Sequence, residues 1–234
     1  MTHMPAGVLI TGGSRGIGRA CCELLANHAI PVASISRTAP AELCNTETHY
    51  PADLTDLTTT VAVVRHILSS HPVDAIVCNA GRGDIGSLEN FSARQIHESL
   101  LFNLINPITI IRECLPHLRK QARSNVVMIG STSALHGGRY GSLYSAAKFG
   151  LRGAAQSLAF EVSGANCHVG IVHPGSVRTG FFDTLSFEPG PAPAHAIDAE
   201  DVAAAVSHML FSPDHAVLSE LLVQPRQHVV RKKR

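Results

Sequence analysis

Six short apolar runs recur along the chain, separated by longer segments of helical period, and no other feature restricts the fold as tightly. Gly7–Ile10, Pro31–Ser36, Ala75–Cys78, Asn125–Ile129, His168–His173 and Glu220–Gln224 are rich in Val, Ile and Leu, as strands buried on both faces are. Segments 16–27, 58–70, 92–119, 142–163 and 199–211 predict the intervening helices. Such alternation predicts an α/β chain with a doubly wound parallel sheet and helices on both faces. The stretch "EPGPAPAHAID" at 188–198 predicts a surface loop, with Asp198 as the cap of the last helix.

A length of 234 residues fits one domain, 1–234, ending in a basic tail at 229–234. A net charge of +1 gives no field that would gather nucleic acid. The cluster Arg231-Lys232-Lys233-Arg234 is therefore taken as a solvated tail, with a localisation or polyanion-contact patch as the alternative. Cysteines 21, 22, 44, 78, 114 and 167 form no CxxC pair, which predicts idle thiols in a reducing compartment and no metal site. The 14 histidines include no HExxH; His136 and His173, beside the motif strands, are taken as core or surface residues. No run approaches 18 apolar residues, so the expectation is a cytoplasmic protein without a membrane span.

The first strand runs directly into "TGGSRGIG", residues 11–18, and then into a helix. Glycine is needed where a turn is tight, where backbone approaches a pyrophosphate and where helix packs on strand, and the helix N-terminus then offers N–H groups to the anion. Taken alone, Gly12, Gly13, Gly16 and Gly18 fit a plain turn as well as a phosphate cradle. The second strand ends Ser34-Ile35-Ser36-Arg37, without the carboxylate that would accept hydrogen bonds from an adenosine ribose. Arg37 and Arg15 could instead flank a 2′-phosphate, which favours NADP(H) over NAD; otherwise Arg37 is an exposed loop residue. In "SLYSAAKFG", Tyr144 and Lys148 lie four apart on one helix face, where an ammonium would favour the phenolate and tune the phenol for proton transfer.

In this order the residues resemble the short-chain dehydrogenase/reductase family, over nearly the whole chain, with a 3-oxoacyl-reductase-like or ketoreductase-like member as the nearest type. The resemblance implies a single Rossmann-type domain. It maps the family's glycine motif onto Thr11-Gly12-Gly13-Ser14-Arg15-Gly16-Ile17-Gly18, its adenine-contacting acid onto Asp53 with Leu54, and its strand-end motif onto Asn79-Ala80-Gly81. Further cofactor contacts fall on Pro174, Gly175, Val177 and Thr179. The catalytic tetrad falls on Asn103, Ser131, Tyr144 and Lys148: Ser131 steadies the carbonyl oxygen, Tyr144 passes the proton, Lys148 holds the nicotinamide ribose, and Asn103 positions a water.

Ser133, Tyr140, Phe181 and Phe182 are the candidate substrate contacts. Segment 180–197 is short and rich in Phe and Pro, which predicts a partly open, apolar-lined pocket for a bulky or carrier-bound carbonyl substrate. The chain end lacks the glycine-rich segment common among tetrameric family members, which leaves a homodimer beside a homotetramer. The implied activity is NADPH-dependent reduction of a ketone or 3-oxoacyl carbonyl to a secondary alcohol, reversible as an alcohol dehydrogenase. The alternatives are another alcohol substrate (a hydroxy acid, a sugar or a polyketide intermediate) and a non-catalytic dinucleotide sensor.

Overall fold

The computed structural model describes residues 4–233, and Arg234 of the basic cluster lies outside them. The first strand, β1 (Val8–Thr11), is buried at all four positions and leads through the glycine turn into α1 (Gly16–Asn27). There follow β2 (Val32–Ser36), β3 (Glu47–Pro51), α2 (Leu57–Ser70) and β4 (Ala75–Cys78), then α3 (Ala93–Leu100) and α4 (Asn106–Leu118). The chain continues through β5 (Ser124–Ile129), α5 (Ser142–Glu161), β6 (Cys167–Pro174), β7 (Phe187–Pro189), α6 (Ala199–Leu210), β8 (Glu220–Val223) and β9 (Val230–Lys232).

Seven parallel strands form one sheet in the order β3-β2-β1-β4-β5-β6-β8. Because successive side chains in a strand point to opposite faces, β1 feeds two cores. Leu9 joins Ile76 and Met128 against α2, α4 and α5. Val8 and Ile10 join Val77 and Val127 against α1 and α6. The winding reverses between β1 and β4, and ligands of doubly wound sheets bind in the crevice beyond the strand ends at such a reversal.

Three departures from the sequence expectation have physical causes. Strand β3 is the polar edge strand ETHYP, paired with β2 from Val32↔Glu47 to Ser36↔Pro51, and its half-exposed pattern hides it from an apolar search. The helix expected over 92–119 is interrupted by a wide turn, Leu101–Ile105, in which Asn106 N–H reaches back five residues to Leu101 O. Pro107 explains the break, since it has no N–H to offer the carbonyl of Asn103 four residues earlier. Finally, the basic segment is not an unpaired tail, although its side chains stay exposed: β9 pairs antiparallel with β7, Phe187 opposite Lys232 and Pro189 opposite Val230. The cap of α6 is as expected at Asp198, whose N–H donates to Asp201 Oδ2 at 2.9 Å. Among the described residues, no helix is long and apolar enough to cross a membrane.

Candidate active site

A cleft of about 1300 Å³ runs along the strand ends, from Arg37 and Asp53 at one end to Ser131, Tyr144 and Phe181 at the other. Its floor is the glycine turn. Gly12 adopts φ +74°, and a β-carbon there would come within 2.9 Å of Asn79 Nδ2. One at Gly18 would lie 2.2 Å from Gly12 O, so Gly18 packs α1 on β1 and does not line the cleft. Asn79 braces the turn, donating from Nδ2 to Thr11 O (2.9 Å) and Gly12 O (3.2 Å). No side chain caps the N-terminus of α1 and no acid stands in its first turn, which suits an anion on its amides.

At the far end, Asp53 accepts from Thr55 N–H (2.9 Å) and Thr55 Oγ1 (2.8 Å). Those bonds, assisted by the Arg37 guanidinium, hold its carboxyl below the usual range. Leu54 is fixed through its carbonyl, which accepts from the buried Asn106 Nδ2 at 2.6 Å. Arg37 lines the cleft, and so does Arg15. Its Nη1 lies 3.6 Å from where a Gly180 β-carbon would be, over the loop that follows β6. Thr179 packs there against Gly16, and Pro174, Gly175 and Val177 complete that wall.

Ser131 follows β5, and Tyr144 and Lys148 project from the first turns of α5, so the strand end and the helix start bring the three together. Ser131 Oγ accepts the Ser133 N–H at 3.0 Å and lies close enough to Tyr144 to draw its pKa down. Lys148 Nζ donates to Ile129 O at 2.8 Å and lies 5.8 Å from the Tyr144 ring centre. Asn103 is buried behind Gly81, and its Oδ1 accepts the Arg82 N–H at 3.0 Å. The wide turn places it there, yet it does not line the cleft.

The electrostatics run opposite to the expected phenolate. Burial pushes Tyr144 up to about 12, against the Ser131 hydrogen bond and with help from the Asp84 charge. Burial likewise brings Lys148 down to about 8. Each shift favours the neutral form, because removing a charge from water outweighs the mutual attraction the sequence suggested. Tyr144 is thus a protonated acid at neutral pH.

Asp84, Ile85, Phe102, His228 and Val230 belong to the site with no motif to mark them, and Thr11 braces it. Asp84, in the loop after β4, accepts from Arg82 Nε (3.0 Å) and Asn103 Nδ2 (3.4 Å). Thr11 Oγ1 accepts from both Asn79 N–H and Ala80 N–H at 3.0 Å. On the substrate side, rings step outward from Tyr144 to Phe181 (5.8 Å), Phe182 (5.4 Å) and Phe187 (6.0 Å). Ile85, Phe102, His228 and Val230 extend this wall, and Ser133 also lines it. Tyr140, at φ +63° and half exposed, sits at the mouth with Arg139 stacked 4.8 Å over its ring. The 180–197 loop is tied down from β9 and beyond: Arg231 Nη2 pairs with Glu188 at 2.7 Å, Lys233 Nζ donates to Phe182 O and Asp183 O, and Lys233 N–H donates to Ser186 O.

Comparison with known proteins agrees with this geometry. A 3-ketodihydrosphingosine reductase of Bacteroides thetaiotaomicron is 31% identical over 180 residues, covering 76% of this chain; the chain spans 66% of that relative's length. A sepiapterin reductase of Chlorobaculum tepidum is 26% identical, over 93% of this chain and 95% of its own. A short-chain dehydrogenase of Burkholderia cenocepacia J2315, solved in complex with NADP, superposes with a TM-score of 0.83 at 26% identity over 95% of this chain and 98% of that one. The model of the family described as short chain dehydrogenase matches residues 6–188, from just before β1 into β7. Across that span fold and sequence agree, and the chain belongs to the short-chain dehydrogenase family.

Proposed function

We propose that the chain, as one dinucleotide-binding and catalytic domain, is an NADPH-dependent reductase of a bulky ketone or 3-oxoacyl carbonyl. One observation carries this reading: Ser131, Tyr144 and Lys148 line one end of a cleft of about 1300 Å³ whose floor is the glycine turn. The glycine turn and the uncapped α1 suit the pyrophosphate, while Arg37, with no carboxylate ending β2, suits a 2′-phosphate. The relative solved with NADP supports the same cofactor. Bound NADPH supplies the hydride.

The chain's own residues do the rest. Tyr144 gives its hydroxyl proton to the carbonyl oxygen, and Ser131 donates a hydrogen bond to the charge developing on that oxygen. Lys148 secures the strand end through Ile129 O and stands where a nicotinamide ribose would be held. The same phenol serves the reverse reaction as base, so the chemistry is reversible. The aromatic wall suits an apolar substrate body, and the 3-ketodihydrosphingosine reductase among the relatives supports a ketone. Six unpaired cysteines suit a reducing compartment such as the cytoplasm. A homodimer or homotetramer would cover Ile108 and Phe160, exposed on α4 and α5.

The test is NADPH oxidation with a panel of aryl and 3-oxoacyl ketones. Tyr144→Phe should lower turnover by about 10²–10⁴-fold while NADPH affinity is kept. Full activity in that variant would overturn the mechanism.

A further inference from the structure

His173 lies near the end of β6, 1% exposed, and does not line the cleft. Its imidazole is nevertheless wedged against the backbone that carries the proposed catalytic serine. Nδ1 is 3.2 Å from Ser131 O, and a carbonyl oxygen can only accept, so Nδ1 carries the proton and donates. A β-carbon on Gly130 would lie 2.5 Å from Nδ1, so the ring occupies the space a side chain would need just before Ser131. On the ring's other edge, Nε2 faces Glu220 Oε2 of β8 at 3.5 Å. That carboxylate is itself held from α5, by Arg152 Nη2 at 3.0 Å and Gln156 Nε2 at 2.7 Å. Of the two acceptors around the ring, the nearer is Ser131 O.

Glycine is the most pliant backbone residue, and here it separates two carbonyls that are each gripped by a buried donor. Lys148 holds Ile129 O on one side, and His173 holds Ser131 O on the other. Fixing that carbonyl restricts the backbone from which the Ser131 hydroxyl projects beside Tyr144. We propose that His173 is a positioning residue for the reaction, clamping the Ser131 carbonyl so that the serine hydroxyl stays aligned with Tyr144. The assignment rests on Ser131 acting as proposed above, and its test separates the two claims.

His173→Leu removes the donor at similar volume, while His173→Asn places an amide N–H near the Nδ1 position. Each is measured alone and in a Ser131→Ala background, with saturating NADPH and an aryl ketone as probe. His173→Leu should lower kcat about tenfold with KM unchanged, because misplacing a reacting group is costly while binding is untouched. His173→Asn should recover most of that loss, and in the Ser131→Ala background His173→Leu should cost nothing more. An equal loss in both backgrounds, or no loss in either, overturns the clamp. Full turnover in Ser131→Ala itself overturns the site assignment and the clamp with it. Should the His173 variants fail to fold, ¹⁵N imidazole shifts of the wild-type protein decide: a protonated Nδ1 supports the clamp, and an unprotonated Nδ1 overturns it.

Discussion

Lys148 shows at the scale of one residue what placing a charge in a core costs. Its folded pKa of about 8 lies below its ordinary 10.5, so between those values the unfolded chain binds the extra proton. Stability therefore rises as pH increases through this window and is lost as pH falls toward 8, by about 3 kcal/mol in all. Tyr144 acts in the opposite sense, but only between its ordinary 10 and about 12. Buried Cys21, Cys22, Cys78 and Cys114, whose thiols burial pushes up, lower stability over the same range in both proteins, so the test is the difference. The wild-type urea midpoint should gain on that of Lys148→Met from pH 7 to pH 10, and parallel curves would show that the ammonium is not desolvated. Arg37 offers a second test. An arginine–phosphate contact contributes about 1.5–3 kcal/mol, so Arg37→Asp should cut NADPH preference over NADH by roughly 10–100-fold in kcat/KM. Unchanged preference would remove Arg37 from the cofactor assignment.

At the scale of elements, the paired β7 and β9 turn a loop into a wall. Phe187 sits in the aromatic series and Val230 lines the cleft, so the C-terminal segment is part of the chamber. Removing residues 228–234 should leave NADPH affinity intact, raise KM for bulky ketones several-fold and expose the 180–197 loop to protease. Limited proteolysis with parallel kinetics checks this, and an unchanged KM would return the segment to a solvated tail. Charge alone had suggested such a tail, because pairing between residues 43 apart, as Arg231 and Glu188 are, leaves no local pattern. The fully buried strands were legible in sequence because both their faces demand apolar residues; β3, an edge strand with one wet face, was not. That Tyr144, Lys148 and Ser131 share one cleft was legible because a Tyr and Lys four apart on a helix that follows a strand end lie on one face beside it. Asp84 was not, since a carboxylate in a loop means nothing until the fold brings it near Tyr144. The wide turn at Asn103 did leave a sign, Pro107 four residues on, which a helical period alone passes over.

The whole molecule is a sheet whose cleft is bounded by loops from nearly every strand of it. The turn after β1, Arg37 after β2, the Asn79 stretch after β4, Ser131 after β5 and the Thr179 loop after β6 all border one space. A dinucleotide lying there would bridge both halves of the sheet across its winding reversal, and a ligand that binds only the folded state stabilises all of it. At 100 times its dissociation constant NADPH should add about 2.7 kcal/mol. For a chain of this length that raises the unfolding midpoint by roughly 5–10 °C. NADH at the same concentration should raise it by far less, as it has no 2′-phosphate for Arg37. Tyr144→Phe should show the full NADPH shift, because in the proposed mechanism the phenol acts on the substrate carbonyl and the turn and strand ends hold the dinucleotide. Scanning calorimetry of both proteins with each nucleotide measures this. Equal shifts from NADPH and NADH would overturn the cofactor preference, and no shift from either would overturn the cleft as a dinucleotide site.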